Sequence, residues 1–267
     1  MKVAFSNIAW TPHDSPDVLA LLRKQSVAGI EVAPTKIWPD WIGATSAAAR
    51  QYRTWMSDNG FEIPALQAIL FGRPDLHLFD PSSEVALVEH LAHVAVLGEA
   101  LGARVAVLGA PKQRTRGSLS FEEALERCVP LFRRLGRLFD EHGGCLCIEP
   151  NPRRYGCDFI VNAREGVKLV QAVDHPGFAL HLDAAGMHLE GDVLAELWPE
   201  VHPMLRHFHI SEPDLGGFSN PVVPHAANLA FLREHGYDNW CSVEMREPAA
   251  GIAQAGPWQF IGRETES

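Results

Sequence analysis

Short apolar segments that resemble β-strands alternate with longer amphipathic segments that resemble helices, from one end of the sequence to the other. Divided evenly, the 267 residues would give eight units of about 33 residues, an ordinary size for one strand followed by one helix. This alternation is typical of α/β proteins with a parallel sheet, because each return to a parallel strand needs a long connection. The predicted strands cover residues 3–9, 29–33, 62–69, 104–108, 145–149, 178–183, 205–210 and 240–244.

Helix-start signals precede several of the intervening segments. Ser120 and Glu123 have the spacing of a capping box, and Asn162 is placed to cap the next helix. Gly251, Gly256 and Pro257 interrupt residues 246–267, so we expect the eighth helix to be short or irregular. The predicted helices cover residues 15–25, 45–58, 80–101 (capped by Asp80 or Ser82), 120–141, 162–173, 192–198 and 225–235.

Two α/β architectures fit this alternation, a closed barrel and an open, doubly wound sheet. The glycine-rich phosphate-binding patterns that mark many open sheets, G-x-G-x-x-G and G-x-x-x-x-G-K-[ST], are absent from the sequence. No linker-like stretch divides the eight units. We therefore predict an α/β fold, a (β/α)8 or TIM barrel, formed by residues 1–267 as a single domain.

The composition argues against several classes of partner. Lys and Arg number 23 against 33 Asp and Glu, so the chain carries a net charge of −10 and is a poor candidate for binding nucleic acid or a membrane surface. Its five cysteines include no Cys-x-x-Cys pair. The beginning of the sequence resembles neither a signal peptide nor a membrane span, so we expect a cytoplasmic protein.

Four consecutive predicted strands each carry a potential metal ligand near the carboxyl end. Glu149 ends the fifth strand, Asp183 the sixth and Glu244 the eighth, while His209 lies on the seventh. In a barrel these ends meet on the face that carries the active site. Any one of them alone is more simply explained as a helix cap or an arginine partner, but four on successive strands predict a common site.

A cluster of three carboxylates needs a positive charge to offset their repulsion. Three oxygen ligands and one imidazole suit Mn²⁺, Mg²⁺, Co²⁺ or Fe²⁺ better than a structural, thiolate-bound zinc. Strand alternation would place His181 and His207 one layer deeper, as hydrogen-bonding partners of the ligands.

The segments around these residues resemble the xylose isomerase-like barrels, a family that includes sugar isomerases and epimerases, hydroxypyruvate isomerase, inosose dehydratase and endonuclease IV. The resemblance extends over nearly the whole chain, since segments of the first three strands fit as well. The segments that carry it are CIEPNP, LHLDAAGMH, HFHISEP and WCSVEM around the four candidate ligands, and SNIAW, GIEVAPTK and ALQAILFG near the amino terminus.

This resemblance implies that Glu149, Asp183, His209 and Glu244 bind one divalent ion, which would be Mn, Co, Mg, Fe or Zn. It also implies that Glu149 and Glu244 transfer the proton, through a metal-held enediolate, in an isomerase or epimerase of a sugar or sugar derivative. An inosose dehydratase-like lyase and a non-catalytic sugar-binding barrel are the alternatives. The family's frequent dimers and larger assemblies allow a homo-oligomer.

The sequence also departs from members of the family. Gly186 stands where ketose epimerases carry a substrate-binding histidine, and the segment after His209 lacks their usual arginine. The additional zinc-binding histidines of endonuclease IV are missing too, so DNA is not the expected substrate.

Further residues near the predicted strand ends are candidates for contacting a small sugar. Each also has a structural explanation, such as satisfying a loop backbone or remaining a solvated surface charge. Arg114, beside one of them, is a further candidate for neutralising an anionic substituent. His90 and His93, by contrast, are expected on a solvated helix face. The candidate substrate contacts are Glu31, Lys36, Gln67, Lys112, Asn151 and His188.

Overall fold

A computed structural model describes residues 1–248 and 251–261, and in it eight parallel strands form one barrel. The strands pair in the order β2-β1-β8-β7-β6-β5-β4-β3. Bridges from Gly29 to Glu62 and from Val32 to Leu66 join β2 to β3 and close the ring. The fold predicted from the sequence is therefore confirmed. The strands are β1 (Lys2–Ser6), β2 (Gly29–Glu31), β3 (Ala65–Leu66), β4 (Val105–Leu108), β5 (Cys145–Ile148), β6 (Phe178–Asp183), β7 (Leu205–Ser211) and β8 (Trp240–Glu244).

Helices connect the strands and cover the outside of the barrel. The capping box at Ser120 and Glu123 is present, and Asn162 caps its helix as expected, accepting a hydrogen bond from the backbone of Glu165 at 2.9 Å. The helices are α1 (Ser15–Lys24), α2 (Ser46–Asp58), α3 (Glu84–Leu101), α4 (Phe121–Glu141), α5 (Ala163–Val173), α6 (Ala184–Glu190), α7 (Leu194–Val201), α8 (His225–Glu234), α9 (Ile252–Ala255) and α10 (Trp258–Ile261).

Some boundaries differ from the sequence-based expectation for local reasons. The first strand ends at Ser6, whose hydroxyl accepts a hydrogen bond from the Ile8 amide at 3.3 Å and begins a short turn. The third strand is only two residues long, and Pro64 just before it has no amide hydrogen to donate. Ser83, rather than Asp80 or Ser82, precedes α3. The sequence analysis missed α6 altogether.

The last part of the chain forms two four-residue helices, α9 and α10, rather than one continuous helix. This confirms the expectation of a short or irregular eighth helix for the described part of residues 246–267. Residues 249–250 and 262–267 of that prediction lie outside the described residues.

Two histidines of α3 correct the expectation of a solvated helix face. His90 is buried, and its Nε2 donates to the Ile69 carbonyl at 2.7 Å. The Nε2 of His93 donates to the Ala44 carbonyl at 2.6 Å. These side chains attach the loops after β2 and β3 to α3, which explains why they occur on one helix without forming a metal site.

Among the described residues, no helix combines the length and the apolar composition that crossing a membrane would require.

Candidate metal centre

The four residues predicted at the strand ends converge at the carboxyl end of the barrel. One ligand atom from each of Glu149, Asp183, His209 and Glu244 lies within 4.8 Å of the others. The strand register produces this convergence, because Asp183 pairs with His209 across β6 and β7, and Glu244 pairs with Ser211 across β7 and β8. Glu149 follows β5 immediately.

Both oxygens of the Asp183 carboxylate have a protein hydrogen-bond donor. Its Oδ1 accepts from the Gly186 amide at 2.6 Å, so that this candidate ligand is also the N-cap of α6. Its Oδ2 accepts from the hydroxyl of Ser211. The sequence analysis did not single out Ser211, although its position two residues after His209 on β7 places it on the same strand face.

Glu149 lies against a buried cation and a glycine. Desolvation at the base of the cavity, followed by the charges of Glu244 and Asp183, raises the pKa of Glu149 to about 8. Behind it, the Arg114 guanidinium donates to the Glu149 carbonyl at 2.7 Å and to Asn151 Oδ1 at 3.0 Å. Arg114 is only 3% exposed, so it is neither a solvated surface charge nor placed to meet a substrate anion directly. A Cβ atom at position 109 would collide with Glu149 Oε2, which explains the glycine there.

The imidazole of His209 lies between two carboxylates. Its Nδ1 is 3.2 Å from Glu244 Oε2 and has no hydrogen-bond partner among the described residues, while its Nε2 is 3.0 Å from Glu31 Oε2. Burial opposes a charged imidazole, yet Glu31 and Glu244 outweigh it and raise the pKa of His209 well above its usual range. Burial and the neighbouring Glu244 also raise the pKa of Asp183 to about 6. A divalent cation bound by these atoms would satisfy the lone pair of Nδ1 and offset the carboxylate charges, so the residues fit a metal.

The structure corrects the predicted role of Glu31. Its side chain is fully buried beneath the four candidate ligands, and its carboxylate is occupied by the Nε2 atoms of His207 and His209. It therefore does not contact a substrate. His207 and His181 lie in the deeper layer as expected, but both ring nitrogens of His181 lack a hydrogen-bond partner within the described chain.

A cavity of about 600 Å³ opens above the four ligands. Three of the predicted substrate contacts, Lys36, Gln67 and Asn151, line it. Lys112 and His188 are exposed and do not belong to its lining, because Lys112 lies beside Gly156 and His188 at the end of α6. The sequence therefore predicted these two positions to be near the strand ends without showing which way the loops turn.

Tyr155 also lines the cavity, and it links two loops above the barrel. Its hydroxyl oxygen accepts a hydrogen bond from the Asp214 amide at 2.8 Å, which leaves the hydroxyl hydrogen free to be donated. Burial raises the pKa of Tyr155, so the hydroxyl stays protonated.

Solved structures with a similar fold include several sugar-modifying enzymes. The 3-keto-D-glucoside 4-epimerase from E. coli is 16% identical over 96% of this chain and 95% of its own, with a TM-score of 0.78. A D-psicose 3-epimerase crystallised in the presence of D-fructose is 18% identical over 98% of this chain and 89% of its own, with a TM-score of 0.75. The probable 3-DHS dehydratase from Bacillus anthracis is 17% identical over 98% and 96%, with a TM-score of 0.71.

Sequence comparison assigns the family. No protein of curated function matches this sequence. The xylose isomerase-like TIM barrel family, however, matches residues 19–259. The eight-stranded barrel and this match together show that the chain belongs to the xylose isomerase-like TIM barrel family.

Proposed function

We propose that the protein is a divalent-metal-dependent isomerase or epimerase of a sugar or sugar derivative, which transfers a proton at the carbon beside a ketone. One observation carries this proposal: three carboxylates and an imidazole meet within 4.8 Å at the base of a cavity of about 600 Å³. Such a concave site with few, convergent polar groups is typical of small-molecule enzymes.

Glu149, Asp183, His209 and Glu244 would hold the metal ion. Three carboxylate oxygens with one imidazole nitrogen suit Mn²⁺, Co²⁺, Mg²⁺ or Fe²⁺, and Zn²⁺ also accepts these donors. When bound, the ion would polarise the substrate's carbonyl and make the neighbouring C–H more acidic.

Glu149 and Glu244 are the groups proposed to move the proton. A carboxylate that removes a proton from one face of a planar intermediate, and a second acid that returns one to the other face, together invert a stereocentre. The pKa of about 8 at Glu149 is close to neutrality, where a group both accepts and gives up a proton readily. Gln at either position would keep the shape of the side chain and remove this capacity.

The cavity lining supplies complementary hydrogen-bonding groups for substrate hydroxyls. Gln67 donates its Nε2 to Ser6 Oγ at 2.6 Å, which leaves its amide oxygen as an acceptor. Asn151 accepts from Arg114 through Oδ1, which leaves its amide hydrogens as donors. Lys36 and the Tyr155 hydroxyl are further donors on the lining. We propose these four residues as the substrate contacts.

A lyase that expels a β-hydroxyl group after the same proton abstraction is the second candidate. The fold it would need is also present in the probable 3-DHS dehydratase with which this chain shares a TM-score of 0.71. Gly186 favours neither reaction by itself, since it places no side chain near the reacting carbon. Isomerase and lyase therefore differ in the fate of the abstracted proton, and that difference can be measured.

The experiment is substrate turnover in ²H₂O by the metal-loaded protein, with D-fructose and a 3-keto-D-glucoside as first substrates. Proton transfer predicts a changed stereocentre or a shifted carbonyl, together with deuterium at the exchanged carbon. A lyase would release water and form a new unsaturated carbonyl that absorbs in the ultraviolet. Binding of either compound without exchange or turnover would favour the non-catalytic barrel.

Two variants test the assignment of the proton-transferring groups. We expect Glu149→Gln and Glu244→Gln to lower turnover by about 10²–10⁴-fold. Metal content is measured beside turnover, because both residues are also proposed ligands. Variants that retain the metal and full turnover would show that other groups move the proton.

The cytoplasmic location and the homo-oligomer expected from the sequence stay predictions. Light scattering coupled to size-exclusion chromatography measures the second directly.

A further inference from the structure

A second buried layer lies beneath the four proposed ligands, and Glu31 is at its centre. Glu31 is fully buried, and its Oε1 is 3.0 Å from the Nε2 of His207. The Nε2 of His209 is 3.1 Å from Oε1 and 3.0 Å from Oε2 of the same carboxylate. One carboxylate from β2 thus contacts two imidazoles from β7.

The charge of Glu31 determines which ring nitrogens carry hydrogen. Burial would favour a neutral carboxyl, but His209 and His207 outweigh it and hold the pKa of Glu31 well below its usual range. An ionised carboxylate only accepts hydrogen bonds. Both imidazoles therefore donate to it from Nε2.

His209 faces in two directions as a consequence. With Nε2–H directed at Glu31, its Nδ1 points to the opposite side of the ring, 3.2 Å from Glu244 Oε2. Among the described residues Nδ1 has no hydrogen-bond partner. A neutral imidazole with its hydrogen on Nε2 has its lone pair on Nδ1, and that lone pair is what a metal ion requires.

We propose that Glu31 is a positioning residue, which holds His209 in the Nε2–H tautomer and presents Nδ1 to the divalent cation. The inference rests on the proposed function, because it assumes that a cation binds to His209. His207 completes the arrangement by donating to the same carboxylate, so that Glu31 is held from two sides. A carboxylate behind a metal-binding histidine orients the ring and makes the ligand more basic.

The test compares the binding of Co²⁺ by calorimetric titration in the full chain and its variants. We expect Glu31→Gln, which keeps an accepting oxygen but removes the charge, to weaken Co²⁺ binding about tenfold, and Glu31→Leu, which removes both, to weaken it up to about 100-fold. The matched control is Glu212→Gln. Glu212 is also buried and also contacts a histidine, His225, at 2.6 Å, but that histidine is not a proposed ligand. We expect the control to bind Co²⁺ within about threefold of the wild type.

A spectroscopic measurement separates positioning from a general loss of structure. Nitrogen NMR of the ¹⁵N-histidine-labelled, Zn²⁺-loaded protein reports which ring nitrogen of His209 binds metal, with His209→Asn used to assign the signal. The proposal requires metal on Nδ1 and hydrogen on Nε2. Because this measurement uses the wild type, it applies even if both Glu31 variants fail to fold.

The outcomes distinguish this inference from the proposed function. Metal on Nε2 in the wild type, or a folded Glu31→Gln variant that binds Co²⁺ as tightly as the control, would overturn the role of Glu31 and leave the metal site intact. A wild type that binds no divalent ion would instead overturn the metal-dependent function, and the positioning role with it.

Discussion

Gly109 follows β4 and lies where any side chain would meet Glu149. A Cβ atom added at this position would collide with Glu149 Oε2. We expect Gly109→Ala to displace that carboxylate and to weaken Co²⁺ binding about tenfold or more, because small displacements of a reacting group have large effects. Gly98→Ala is the control, since the nearest atom to its added Cβ, in the side chain of Leu66, is at an ordinary 3.6 Å. Equal Co²⁺ affinity in the two variants would contradict this explanation.

Tyr155 offers a test of the substrate-facing side of the site. Its hydroxyl accepts from the Asp214 amide and retains a hydrogen for the cavity. We expect Tyr155→Phe to raise KM about five- to twentyfold, the loss of one hydrogen bond, while metal affinity stays unchanged. Steady-state kinetics and calorimetry measure the two quantities separately. A loss of metal binding would show that Tyr155 supports the ligands instead of the substrate.

The acidity of the ligands predicts how metal binding depends on pH. In the metal-free chain the pKa of Glu149 is raised to about 8 and that of Asp183 to about 6, so both bind protons that a cation must displace. Metal affinity should therefore rise as the pH increases from about 6 to about 8. Calorimetry in two buffers of different ionisation enthalpy counts the released protons, and the contribution from Glu149 and Asp183 should decrease above pH 8. A pH-independent affinity would rule out proton competition at these carboxyls.

At the scale of elements, α6 begins at a proposed metal ligand. Asp183 caps this helix through Gly186 and also belongs to the metal site. Asp183→Asn keeps an oxygen for the cap and loses the charge, whereas Asp183→Ala loses both. We expect both variants to lose the metal, and the Ala variant to be less stable than the Asn variant by about 1 kcal/mol. Elemental analysis and denaturant unfolding of the metal-free proteins test the two effects, and a metal-bound Asn variant would contradict the site.

Elements with strong local signals were predictable from the sequence. The helix α4 begins at a capping box, and β6 is buried along its full length, as its apolar composition indicates. The helix α6 was missed because its N-cap was assigned only as a strand end, and its short sequence contains Gly186. The strand β3 is shorter than predicted because Pro64 interrupts the ladder of amide donors.

For the whole molecule, metal binding should be visible as stability. A ligand at about 100 times its Kd stabilises the folded state by about 2.7 kcal/mol. For a chain of this size we expect Mn²⁺ or Co²⁺ to raise Tm by roughly 5–10 °C, and EDTA to reverse the increase. Calorimetric unfolding with and without the ion measures this shift.

The same shift should grow with pH. A carboxyl such as Glu149, whose pKa is higher in the folded than in the unfolded chain, contributes stability below about pH 4. That contribution is lost as the pH rises through about 8, since the folded chain must then hold a buried charge. A cation offsets the charge, so the metal-induced rise in Tm should be larger at pH 8 than at pH 6. A smaller rise at pH 8 would contradict the proposed ligand set.

The sequence alone determined the barrel and the positions of the four proposed ligands. Both follow from periodic features of the chain, the alternation of strands and helices and the placement of Glu149, Asp183, His209 and Glu244 near the ends of successive strands. Parallel strands bring such ends together in any closed barrel, so spacing along the chain is enough to predict that they meet.

Only the tertiary structure decided which neighbouring side chains contact these ligands. Glu31 is 178 residues from His209 in the sequence, yet its carboxylate contacts that imidazole, because closure of the ring brings the inward-facing side chains of β2 and β7 together. Lys112 and His188 follow strands as Lys36 does, but their loops turn them away from the cavity. Local periodicity determines which residues face inward, whereas barrel closure and the paths of the loops determine which of them meet.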